Sequence, residues 1–72
     1  MNLYLISQDV NNDYDTYDSA VVAAPDEETA RRMHPGGPGY RTWASPEDVK
    51  VTLIGTAIDD VQRVICASFN AG

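Results

Sequence analysis

"APDEETARRMHP", residues 24–35, predicts the one helix of this chain and thereby its fold class. Pro25 suits the first helical position, and the acidic run 26–28 would lie at the positive end of the helix dipole. The arginines 31–32 would lie near the negative end, and Pro35 followed by two glycines stops the helix. A helix this short is stable only when it packs on another element. The rest of the chain must therefore supply the surface that it covers.

Apolar and β-branched runs on both sides of the helix predict that this surface is a β-sheet. Leu3 and Leu5 alternate with Tyr4 and Ile6, as in a strand with two different faces. The strands are predicted at residues 2–8, 17–24, 48–58 and 62–69. The order β-β-α-β-β indicates an α+β fold, a small antiparallel four-stranded sheet with one short helix on one face. An alternative replaces the last strand by a helix over residues 59–69.

The length of 72 residues predicts a single domain, residues 1–72, of marginal stability. Cys66 is the only cysteine and His34 the only histidine, which excludes an intrachain disulfide and argues against structural zinc. Within an alternating strand, Cys66 is expected to be a small buried hydrophobe. The N-terminal residues show no secretory leader, and no apolar run has the roughly 20 residues of a membrane span. We therefore expect a cytoplasmic protein without cofactors that does not bind membranes.

The net charge of −6 is concentrated in the N-terminal part of the chain. Residues 1–30 hold seven acidic residues and no Lys or Arg, giving −7, whereas residues 31–72 hold five basic and four acidic residues, giving +1. Such a field repels nucleic acid directly and attracts basic partners, at a rate that falls as salt rises.

The acidic charge is densest in "DVNNDYDTYD", residues 9–18, a stretch that has three interpretations. A calcium loop is excluded because Tyr14 stands where glycine is needed and Ala20 where a bidentate glutamate is needed. Imitation of a phosphate backbone fits better, since alternate carboxylates of an extended segment share one face. The third interpretation is a solvated loop that keeps a small protein soluble. If the stretch imitates a phosphate backbone, the partner-binding residues would be Asp9, Asp13, Tyr14, Asp15, Tyr17, Asp18, Asp26, Glu27 and Glu28.

A second candidate surface is the glycine-rich and proline-rich loop "HPGGPGYRTW", residues 34–43. Tyr40, Arg41 and Trp43 could contact a partner there, although Trp43 could instead fold over the sheet and complete its core. The loop is not a phosphate cradle, because no Lys-Ser/Thr pair and no helix follow the glycines. His34 has no nucleophile at a recognised spacing, and its imidazolium suits a helix end. We therefore expect no enzyme activity.

Five segments carry a resemblance to known proteins: "LYLISQD", "YDTYDSAVVAA", "ARRMHP", "DVKVTLIGTA" and "VICASFNAG". The chain resembles the small acidic proteins encoded by bacteriophages and prophages. That resemblance implies a context in which such proteins block host defence nucleases, as anti-CRISPR and anti-restriction inhibitors do. It implies no catalytic or ligand residues.

The sequence therefore predicts a non-enzymatic, phage-type inhibitor. Its acidic edge would bind a basic, nucleic-acid-handling surface of a host protein such as a nuclease or CRISPR effector. The alternative is a self-associating structural or assembly protein of a phage, a homodimer in which an edge strand pairs across a two-fold axis. A third interpretation is a small regulator that uses the loop around residues 40–43.

Overall fold

The computed structural model describes residues 1–11, 16–36, 42–58 and 60–70. Four strands form one antiparallel sheet in the order β3-β1-β2-β4. The strands are β1 Asn2–Ser7, β2 Thr16–Ala24, β3 Lys50–Thr56 and β4 Arg63–Asn70, and the one α-helix is α1 Glu27–Arg31. The predicted α+β class is confirmed, and the last element is a strand rather than the alternative helix.

The central strands β1 and β2 form a hairpin whose register separates two faces of the sheet. Tyr4 pairs with Val22 and Ile6 pairs with Ala20, and these four side chains are buried beneath α1. We call this the helix-covered face. Leu3 and Leu5 project from the opposite side, which we call the open face. The predicted alternation in β1 is therefore correct.

The core lies between the helix-covered face and the segment that follows α1. Trp43 is 1% exposed and packs with Ala30 of α1 and Val49, which precedes β3. A one-turn 3₁₀ helix, Pro46–Asp48, then leads into β3. Most of the other buried apolar side chains are alanines, so Trp43 supplies a large share of the core volume.

The helix begins at Glu27, two residues later than the prediction that placed Pro25 at the first helical position. Asp26 is the N-cap, and its carboxylate accepts a hydrogen bond from the Thr29 backbone N–H at 2.7 Å. Asp26 has the extended backbone of an N-cap residue. Pro25 therefore lies before the cap and not in the first turn of the helix. The helix ends at Arg31, so His34 lies beyond it and its Nδ1 accepts from the Gly36 N–H at 3.1 Å.

The two strands after the helix occupy the two edges of the sheet. β3 pairs with β1 and β4 pairs with β2, so neighbours in sequence are the most distant strands in space. Cys66 in β4 is exposed, which corrects the expectation that it is buried. The reason is that β4 is an edge strand and no described element packs on the side of the sheet to which Cys66 belongs.

Candidate binding site at the acidic loop

The acidic loop, residues 9–18, includes the connection between β1 and β2 and the first three residues of β2. The buried side chain of Gln8 holds its base. Gln8 donates from Nε2 to the carbonyl oxygens of Asn11 and Tyr17, both at 2.8 Å. Its Oε1 accepts from the backbone N–H groups of Val10 at 3.0 Å and Asn11 at 2.8 Å. One amide side chain thus satisfies four backbone groups, two donors and two acceptors, in a place with little access to water.

Both ends of the loop are also joined to the segment that carries Trp43. The Asn11 side chain donates from Nδ2 to the Trp43 carbonyl at 3.0 Å. The Tyr17 N–H donates to the Thr42 carbonyl at 2.8 Å. A further bond joins the two ends of the loop to each other, since the Gln8 N–H donates to the Asp18 carbonyl at 3.1 Å. The described parts of the loop are therefore fixed relative to the core rather than held only by the hairpin.

Two of the predicted carboxylates, Asp9 and Asp18, lie exposed at this end of the sheet. Asp9 also lines a shallow groove of about 280 Å³ with Ser7, Gln8, Asp48 and Lys50. The remaining predicted residues of the loop, Asp13, Tyr14 and Asp15, lie outside the described residues.

Tyr17, predicted as a contact residue, also has a structural role. Its ring is half-buried against the core and meets Phe69 of β4 edge-on, with ring centroids 4.8 Å apart. The ring edge also lies close to Gly36, where an added Cβ would come within 2.6 Å of Tyr17 Cε2. The space for Tyr17 therefore depends on glycine at position 36.

The three acidic residues at the helix start belong to the other end of the hairpin. Asp26 follows the Ala24 end of β2, and the six residue-to-residue steps of strand from Asp18 to Ala24 span about 20 Å. Glu27 and Glu28 are exposed but pair along the helix with Arg31 and Arg32, at 3.2 Å and 2.9 Å respectively. The structure thus divides the predicted acidic residues into two groups, one in the acidic loop and one at the start of α1.

Asp26 has a local role that accounts for its position. Hydrogen bonds from the Thr29 backbone N–H and then the Thr29 hydroxyl lower the pKa of the Asp26 carboxyl from its ordinary value of 3.8. Its charge therefore caps the helix, and the cap is present at neutral pH and lost as the pH falls through that lowered pKa.

Of the three contact residues predicted in the second candidate surface, the loop of residues 34–43, one is buried. Trp43 is 1% exposed, so its side chain offers no surface to a partner and completes the core instead. Tyr40 and Arg41 lie outside the described residues. His34 lies in this segment, and its Nδ1 accepts a hydrogen bond from the Gly36 N–H.

Sequence reasoning missed Gln8 and Asn11, which organise the site without carrying charge. The one signal was position: Gln8 continues the Tyr4–Ile6 alternation onto the covered face, where a long polar side chain needs partners. The identity of those partners depends on the loop geometry and on a segment more than thirty positions further along the chain, at Trp43.

Replacement of Gln8 by alanine should loosen the acidic loop while the sheet remains formed. Four backbone groups lose their hydrogen-bond partner in this variant. Because water reaches some of them poorly, the free energy of unfolding should fall by about 1–3 kcal/mol in total. In hydrogen exchange, the Val10 and Asn11 amides should exchange faster in the variant than in the wild type, while the amides of β1 keep their wild-type rates. Equal protection of these loop amides in both proteins would contradict the assigned role of Gln8.

Comparison of the chain with protein-family models, with curated proteins and with solved structures gives no match. Across the described ranges no helix has the length and apolar character needed to cross a membrane. No group of three His, Cys, Asp or Glu side chains within those ranges is arranged to hold a metal ion.

Proposed function

We propose that this protein is a non-enzymatic, phage-type inhibitor that binds a basic surface of a host nucleic-acid-handling protein through its acidic loop. The single observation that supports this most is the Gln8 side chain, whose four hydrogen bonds order the base of a loop rich in carboxylates. An ordered loop loses less conformational entropy when it binds than a flexible one does.

The charges of the loop supply the specificity for a basic partner. Residues 9–18 contain four aspartates and no basic residue, and the exposed Asp9 and Asp18 mark the two described ends of this run. A cleft lined by Lys and Arg that follows phosphates would be attracted to it over the screening length of about 8–10 Å. Attraction of this kind raises the association rate more than it lowers the dissociation rate.

The location of the loop favours a contact made by the end of the sheet rather than by its edge. The pairing of β1 with β2 ends at Ser7 and Ser19, and the acidic loop lies beyond this pair, with its last three residues continuing β2. The carboxylates at the start of α1 lie near the opposite end of β2 and already have arginine neighbours. We therefore assign partner binding to the loop group and helix stabilisation to the α1 group.

Capture from a bacterial lysate tests this function. The immobilised protein should retain basic, nucleic-acid-binding proteins at about 50 mM salt and release them as salt rises, because ion pairs at an exposed surface are screened. Excess double-stranded DNA should compete with capture, since DNA and the loop would occupy the same basic cleft. Capture that neither salt nor DNA reduces would contradict the proposal.

A further inference from the structure

An aromatic pair lies at the same end of the sheet as the acidic loop. Phe69 of β4 is the cross-strand partner of Tyr17, which belongs to that loop. The two rings meet edge-on, with their centroids 4.8 Å apart and their planes inclined by 62°. Phe69 is nevertheless 46% exposed, so much of this large apolar side chain remains in contact with water. The sheet therefore presents an aromatic surface beside the loop.

A β-bulge places Asp18, whose side chain is exposed, next to this pair. The register of β2 against β4 shifts between Tyr17 and Ser19, so Asp18 is an extra residue of β2. It lies opposite the step from Ser68 to Phe69. Bulges interrupt the alternation of a strand and re-aim its side chains. Diagonal neighbours on paired strands lie about 7–8 Å apart, so one long side chain of a partner can reach both the carboxylate and the ring.

The ring of Phe69 lies outside the core that joins the sheet to the helix. Val64 of the same strand is half-buried against that core, whereas Phe69 is exposed and packs on Tyr17 at its margin. Aromatic residues and arginines are enriched at the centres of protein interfaces. An aromatic side chain left exposed beside a charged loop therefore indicates a contact surface.

Arginine is the side chain whose chemistry fits both groups. Its guanidinium donates hydrogen bonds to a carboxylate and stacks its planar face on an aromatic ring. The ammonium of lysine is compact and more strongly hydrated, and it has no plane to stack. Residues 16–19 and 68–69, which form this corner of the sheet, include one carboxylate and no basic residue. The corner is therefore complementary in charge to an arginine.

We propose that Phe69 binds an arginine side chain of the basic partner, with the guanidinium stacked on the ring and paired with a carboxylate of the acidic loop. This contact rests on the proposed function, which supplies the basic partner. The loop attracts any cation, because it acts through charge alone. Phe69 distinguishes two cations of equal charge and gives the protein a preference for arginine over lysine.

Two oligopeptides of about eight residues, one of arginine and one of lysine, carry equal charge and test this preference. Each is titrated into the full chain at low salt by isothermal titration calorimetry. Phe69→Ala should lower the affinity for the arginine peptide by about two- to fivefold, the effect of a cation on an exposed aromatic ring. Its affinity for the lysine peptide should stay nearly that of the wild type.

Ile65→Ala is the matched control. Ile65 lies on the same strand as Phe69 and is 45% exposed, but the two residues are about 13 Å apart along β4. This variant should bind both peptides as the wild type does. If Phe69→Ala fails to fold, Phe69→Leu gives the answer, because leucine keeps an apolar side chain against Tyr17 without an aromatic face. It should weaken binding of the arginine peptide by the same factor.

Three results would overturn the arginine contact. They are an unchanged affinity of a folded Phe69 variant for the arginine peptide, an equal loss for both peptides, and no binding of either peptide to the wild type. None of them contradicts the proposed function, which depends on capture from a lysate that salt and DNA reduce. Capture that neither salt nor DNA reduces would contradict that function, whatever the two peptides show.

Discussion

Replacement of Trp43 by alanine should leave the protein unfolded at 25 °C. The indole ring is 1% exposed and is the largest fully buried side chain, so its removal leaves a cavity between α1 and the sheet. Truncation of a buried aromatic side chain costs about 3–5 kcal/mol, which is about the whole stability that the core of so small a domain supplies. Far-UV circular dichroism and urea titration would measure the loss.

Trp43→Phe is the matched control for this variant. The Trp43 Nε1 has no hydrogen-bond partner among the described residues, so phenylalanine removes volume but breaks no such bond within the described part of the chain. We expect a folded protein of reduced stability. A Trp43→Ala protein that unfolds cooperatively within about 1 kcal/mol of the wild type would show that the indole is not central to the core.

The second large effect is expected from neutralising the acidic loop. The variant Asp13→Asn, Asp15→Asn, Asp18→Asn should bind the captured partner more weakly by on the order of tenfold. Each carboxylate lost from an exposed contact reduces binding by about 0.2–1 kcal/mol, and the three act on the same basic surface. The free energy of unfolding should change little, because Asp18 is exposed and its contribution to the loop base is its backbone carbonyl. Isothermal titration calorimetry would give the affinity.

A second triple variant separates loop charge from total charge. Glu27→Gln, Glu28→Gln, Asp60→Asn changes the net charge by the same three units away from the loop. Glu27 and Glu28 lie on α1, and Asp60 lies within 3.7 Å of the amino group of Met1 at the start of β1. This variant should bind the partner nearly as the wild type does. An equal loss in both variants would mean that the partner responds to net charge alone.

The sequence predicted the strands of this fold from the alternation and the β-branched runs of its apolar residues. Leu3 to Ile6 and the valines of β2 divide cleanly between the two faces. The strand order was not predictable in the same way, because alternation shows which face a side chain occupies but not which strands pair. The structure places β3 and β4 at opposite edges, because each pairs with a different central strand.

The candidate site was predictable only in its charges. The run of aspartates is visible in the sequence, but its division from the α1 carboxylates depends on where β2 ends. The Gln8 network could not be foreseen, because it requires the loop to turn back so that Asn11 reaches the same amide. The exposure of Cys66 likewise follows from the strand order, which local sequence does not encode.

The central claim is that the acidic loop supplies the electrostatic attraction for a basic partner. The most direct test is the dissociation constant of the captured protein from the wild type and from the loop variant, measured over a series of salt concentrations. The account predicts a steep weakening with salt for the wild type and a clearly shallower dependence for the loop variant, because three screened charges are gone. Two parallel lines would contradict it, since the salt-dependent contacts would then lie elsewhere on the protein.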